Sequence, residues 1–138
     1  MRQHAEHNEA VCDYLNAGKD CWDWVVTTAF YSAMHYTYFQ VFPLELDGKT
    51  YSTFEDYYHS VEQVKPKNIR MNKHECTASL VSRFIPKAAS YYRALADASW
   101  NARYHDYRIP AQNAARARME LSQIKGQLSK LKQRQEGH

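Results

Sequence analysis

The chain has few of the residues that break or bend secondary structure, only four glycines and four prolines in 138 residues. With Ala, Gln, Glu, Lys and Arg abundant, that shortage predicts a mostly helical protein. Its three cysteines, Cys12, Cys21 and Cys76, are an odd number without a paired metal spacing. They read as reduced thiols of a cytoplasmic protein, with neither a disulfide framework nor a zinc site. No apolar run approaches the roughly 18 residues of a membrane span, and the opening MRQHAEHNEA has no signal-peptide core, so no membrane association is expected. A Gly-rich phosphate loop, an HExxH and a CxxC pair are all missing. Neither a metal nor a cofactor is therefore expected. No serine stands in a strand–turn–helix context that would suit a nucleophile. His4 and His7 lie three apart. Without further ligands nearby, they are expected in solvent rather than on a metal.

Aromatic residues, by contrast, are plentiful: eleven tyrosines and three tryptophans. They serve either core and interface packing or stacking on nucleic-acid bases. The net charge of +3 is unevenly spread. Residues 1–65 carry 4 Lys/Arg against 10 Asp/Glu, and residues 66–138 carry 14 against 5. A basic half suits a phosphate-bearing partner and an acidic half suits self-association against it; charge segregation for solubility accounts for the same pattern.

In order, the spacing predicts a first helix over residues 3–17, with Val11, Tyr14 and Leu15 as its apolar face and Gly18 as its stop. Asp20 is the expected N-cap of a second helix over about 21–41, apolar nearly all round and hence the buried centre of a bundle. His35 lies within it, as a core histidine or a functional group. Pro43 to Tyr51 reads as a loop turning at Asp47-Gly48. Ser52 or Thr53 then caps a short helix over 53–64. The segment 65–73 (KPKNIRMNK) is basic, and Lys65, Lys67, Arg70 and Lys73, with His74 beside them, form a candidate RNA-phosphate contact or a plain solvated loop. A fourth helix over 73–84 meets the next at Ile85-Pro86, as one kinked helix or two. Beyond Pro110, Leu121, Ile124, Leu128 and Leu131 are spaced as a seam that packs on the bundle or pairs with a second copy. The expected architecture is all-α: one domain over 1–138, an antiparallel bundle of about five helices. Its core spans about 3–109, and a long C-terminal packing or dimerising helix spans about 110–136.

The richest stretch is Tyr91 to Tyr107, YYRALADASWNARYHDY. At about 100° per residue, Tyr91, Ala94, Ala98, Asn101, His105 and Arg108 fall on one stripe that turns polar at its end. This stripe is either a site or an ordinary solvated helix terminus. Together with AFYSAMHY (29–36), KHE (73–75) and LVSRFIP (80–86), the stretch resembles small helical proteins of the HEPN superfamily over roughly residues 20–108.

The resemblance implies an RNA-directed protein of a toxin–antitoxin or antiviral defence system. Such a protein is either a metal-independent endoribonuclease or a catalytically inactive neutraliser, inhibitor or defence-complex subunit. The family's motif places an arginine four to six residues before a histidine. It implies roles for His105 as base, for Asn101 beside the motif arginine and for Tyr107 as a trailing aromatic. Trp100 stands where that arginine is expected. Arg103 lies about 200° around a helix from His105, and Arg108 shares its face only if the helix continues. Arg70 and His74 are a second near-match with a shorter gap. Family members commonly build the site across a two-fold dimer, so a homodimer or a protein partner is also implied.

Overall fold

The computed structural model describes residues 2–68 and 71–136, without the side chains of residues 132–136. Six α-helices run through the described residues: α1 (Arg2–Gly18), α2 (Trp22–Val41), α3 (Phe54–Val64), α4 (Lys73–Phe84), α5 (Ala89–Tyr104) and α6 (Ala111–Glu136). A two-stranded hairpin, β1 (Leu44–Leu46) and β2 (Lys49–Tyr51), joins α2 to α3. The protein is an all-α helical bundle, as its composition predicts. Among the described residues no helix is long and apolar enough to cross a membrane.

Helix α2 is the centre and packs against α1, α5 and α6. Val25, Val26, Ala29, Phe30, Ala33 and Val41 are all buried on it. Its buried hydroxyls avoid the cost of lost hydration by bonding locally. Thr28 donates to the carbonyl of Trp24 (2.7 Å) and Thr37 to that of Ala33 (2.8 Å). Ser32 instead donates across to the carbonyl of Ala5 on α1 (2.9 Å). That bond, with the Cys12 thiol directed at the Val25 carbonyl (3.4 Å), sets α1 antiparallel to α2. The seam of α6 is used inside the chain, with Leu121, Ile124 and Leu128 buried in the common core.

Several local expectations change. The segment 43–51 pairs as a hairpin, Leu44 opposite Tyr51, because Asp47 (φ 53°) and Gly48 (φ 78°) take the two positive φ values of a tight two-residue turn. Lys19 (φ 59°), not Gly18, supplies the left-handed residue after α1. Cys21 rather than Asp20 precedes α2 and makes no side-chain cap bond; Asp23, in the first turn, faces the positive helix end instead. Tyr14 is 80% exposed, and Ala5 and Cys12 are the buried residues of α1. Ile85 (φ −136°, ψ 63°) separates α4 from α5 completely, with a 3₁₀ turn at Pro86–Ala88 between them. Of the two candidate caps of α3, Thr53 does the work, accepting from the Asp56 N–H.

The two oppositely charged halves meet within the chain. Glu9 accepts both contacts of Lys125 (2.8 and 2.9 Å), Asp13 pairs with Arg118 (2.9 Å) and Glu55 with Lys73 (2.9 Å). Partly exposed pairs of this kind each stabilise by roughly 0–1 kcal/mol, so they orient α1 and α6 more than they hold them together.

Glu120 of α6 is only 4% exposed. Burial holds its carboxyl above the usual glutamate range, and Arg116 pulls it partly back. A raised carboxyl pKa means the folded state prefers the protonated form. Its contribution is therefore complete at acid pH and lost as pH rises through the raised pKa. Glu120→Gln should raise the melting temperature at pH 7 and change it little at pH 4; melts at the two pH values that shift equally would refute this.

Candidate functional site

The polar end of α5 does not form one site. The helix stops at Tyr104, and His105 is its C-cap, with the N–H groups of His105 and Asp106 both bonded to the Asn101 carbonyl (3.0 Å). The Asn101 and His105 side chains are exposed, and Tyr107 is 71% exposed in the linker before Pro110. Arg108 does not continue the helical stripe. Its N–H and its Nε both reach Asp106 Oδ1 (2.9 and 3.3 Å), and these bonds, the backbone one first, hold the Asp106 carboxyl below its ordinary value. The stripe that a continuous helix would have built is cut short at Tyr104, and Pro110 keeps Ile109 from resuming it.

Arg103 turns away from these four. Its Nη1 donates to the Tyr31 hydroxyl of α2 (2.7 Å) and its Nε to the Ser99 carbonyl (3.4 Å). The guanidinium also lies over the rings of Tyr31 (5.4 Å) and Tyr104 (5.1 Å). Among the described residues it has no carboxylate within ion-pair distance. Two aromatic faces and two hydrogen bonds therefore fix a cation that makes no ion pair among the described residues.

Arg103 opens onto a groove of about 530 Å³ between α4 and α5. The helices are antiparallel there: His74 at the start of α4 faces the Arg103 end, and Arg93 donates to Ser82 (3.4 Å) further along. Phe30 and Trp100 contribute its aromatic lining, and two acids line it as well, Glu75 beside His74 in the first turn of α4 and Asp97 on α5. Asn72 caps α4 by accepting from the Glu75 N–H (2.8 Å), which places His74 in the first turn, at the positive end of the helix. The His74 ring stands 5.8 Å from that of Phe30. Burial first, and Arg103 second, lower its pKa below the usual histidine value. His74 is nonetheless exposed at the groove mouth, and the lowered pKa favours its neutral form, which has a lone pair to accept a proton.

Two residues that the sequence assigned to different roles, Arg103 and His74, therefore share one groove. Lys65, Lys67 and Lys73 do not line that groove. Lys73 is engaged with Glu55 and lies 5.9 Å over the Tyr58 ring, Lys65 is 3.9 Å from Glu62, and Lys67 is exposed. Arg70 lies outside the described residues. The contribution of Tyr31 was missed because its partner is 72 positions away and nothing local marks it among eleven tyrosines. Elsewhere, the rings of His4 and His35 meet at a tilt (5.4 Å, 33°) between α1 and α2. Among the described residues no group of three or more His, Cys, Asp or Glu is placed to hold a metal ion.

By NMR titration His74 should show a midpoint below about 6.5. In Arg103→Gln the midpoint should move up yet stay below that value, since burial is the larger cause. An unchanged midpoint would show that Arg103 does not act on it. Comparison with known proteins finds no matching family model, and no match among curated proteins or solved structures.

Proposed function

We propose that this chain binds RNA in the α4–α5 groove and cleaves it as a metal-independent endoribonuclease, with His74 as base and Arg103 as the stabilising cation. The observation that carries this reading is the groove itself, where the His74 imidazole and a guanidinium without an ion-pair partner among the described residues share one space at the start of α4, with Glu75 and Asp97 also on its walls. The imidazole takes the proton of an RNA 2′-hydroxyl. The 2′-oxygen then bonds to the adjacent phosphorus while the bond to the 5′-oxygen breaks, and that oxygen leaves with a proton from solvent. Arg103 and the N-terminal turn of α4 offset the charge that gathers on the phosphoryl oxygens. The products are a 2′,3′-cyclic phosphate and a 5′-hydroxyl. The HEPN resemblance points to the same chemistry and to a cytoplasmic toxin–antitoxin or antiviral setting. The unpaired cysteines suit that compartment.

A second reading is favoured by a different observation. Trp100 replaces the expected motif arginine and is exposed beside Tyr104. Exposed Trp, Tyr and Arg are also the residues that anchor protein interfaces. On that reading the chain is a catalytically inactive partner, a neutraliser or subunit of a defence complex, acting as a homodimer or on another protein.

Purified protein incubated with mixed tRNA and mRNA in EDTA separates the two. Cleavage that drops by roughly 10²- to 10⁴-fold in His74→Ala and Arg103→Ala, and little in His105→Ala, supports the enzyme. Cleavage that follows His105 instead would move the site to the end of α5. No cleavage at any protein concentration would leave the interaction protein.

A further inference from the structure

We infer that Trp100 and Tyr104 form a base-stacking shelf on the rim of the α4–α5 groove, selecting unpaired nucleotides of single-stranded RNA; this rests on the RNA reading above. The two side chains are one helical turn apart on α5, with ring centroids 4.4 Å apart. They remain 54% and 61% exposed. Large aromatic side chains normally bury much of their surface, so a contacting pair left in water on an ordered helix offers free apolar area to a ligand.

What the shelf adjoins decides the ligand. Trp100 lines the same groove as His74 and Arg103. Arg103 is held against the Tyr104 ring (5.1 Å) while its charge has no acid partner among the described residues. A protein surface docking here would have to desolvate that guanidinium or bring a carboxylate to it. A nucleotide brings both required features on one chain: a phosphate for Arg103 and a flat base for the indole. Duplex RNA keeps its bases stacked inside the helix, where no shelf can reach them; only an unpaired base can swing out onto Trp100. The shelf is sequence-tolerant, since every base has a π-face.

The test uses 2′-O-methyl RNA, which cannot be cleaved through its 2′-oxygen, as a labelled single strand, as a hairpin duplex of the same sequence and as a strand with abasic positions. Anisotropy titrations compare the full-length protein with Trp100→Ala, Trp100→Phe and Tyr104→Ala, and thermal melts check folding. The single strand should bind more tightly than the duplex or the abasic strand. Trp100→Ala should lose roughly 5- to 150-fold on the single strand alone. Trp100→Phe should recover most of this. Equal binding of single strand and duplex, or an unchanged Trp100→Ala affinity, overturns the shelf. Cleavage of RNA dependent on His74 would in that case still stand. Wild-type protein that binds none of the probes removes the shelf and the RNA reading together. Loss of self-association in Trp100→Ala by sedimentation, with RNA affinity intact, overturns it in favour of a protein contact.

Discussion

Helix α2 has almost no face to give to water, and the bundle is arranged to cover it. Val25, Val26, Ala29, Phe30 and Ala33 are buried on successive sides, and the hydroxyls of Thr28 and Thr37 turn back onto their own helix. A helix that is apolar all round is stable in water only when neighbours surround it. Helices α1, α5 and α6 do so. The hydroxyl of Ser32 reaches the Ala5 carbonyl because α1 lies close against that side. Tyr38 stacks on Phe54 at 4.5 Å, extending the aromatic packing from α2 to α3.

The groove is a consequence of that arrangement. Phe30 and Tyr31 are neighbours on α2, one buried and one half-buried. Phe30 approaches His74 of α4, and Tyr31 receives Arg103 of α5. A single dipeptide of the central helix therefore positions the imidazole and the guanidinium from two other helices. Arg103 is thereby tied to the packed central helix by a hydrogen bond, and His74 meets that helix through the Phe30 ring.

Charge follows a similar logic. Three of the ten acidic residues of the first half are answered by the basic second half, through Glu9–Lys125, Asp13–Arg118 and Glu55–Lys73. These contacts join helices distant in sequence, so the asymmetry of the chain is partly internal complementarity. Arg103 stands outside this pairing. It is held instead by hydroxyl, carbonyl and ring faces.

The sequence alone determined the helical class, the central position of α2 and most element boundaries, because apolar periodicity, proline positions and caps act over only a few residues. Thr53 and Asn72 begin helices, and Pro43 and Pro110 stand outside them, for reasons written in their own side chains. The hairpin at 43–51 was legible only as a turn: Asp47-Gly48 marks the reversal, but three-residue strands carry too little alternation to announce themselves. At the candidate site, Asn101 and His105 were readable as one helical stripe, and Arg108 was lost from it when the helix stopped at Tyr104. The meeting of His74 with Arg103 was not legible at all. It depends on α4 running antiparallel to α5 and on Tyr31 holding the guanidinium from 72 residues away. Spacing along one helix says which residues share a face, whereas packing between helices decides which faces meet.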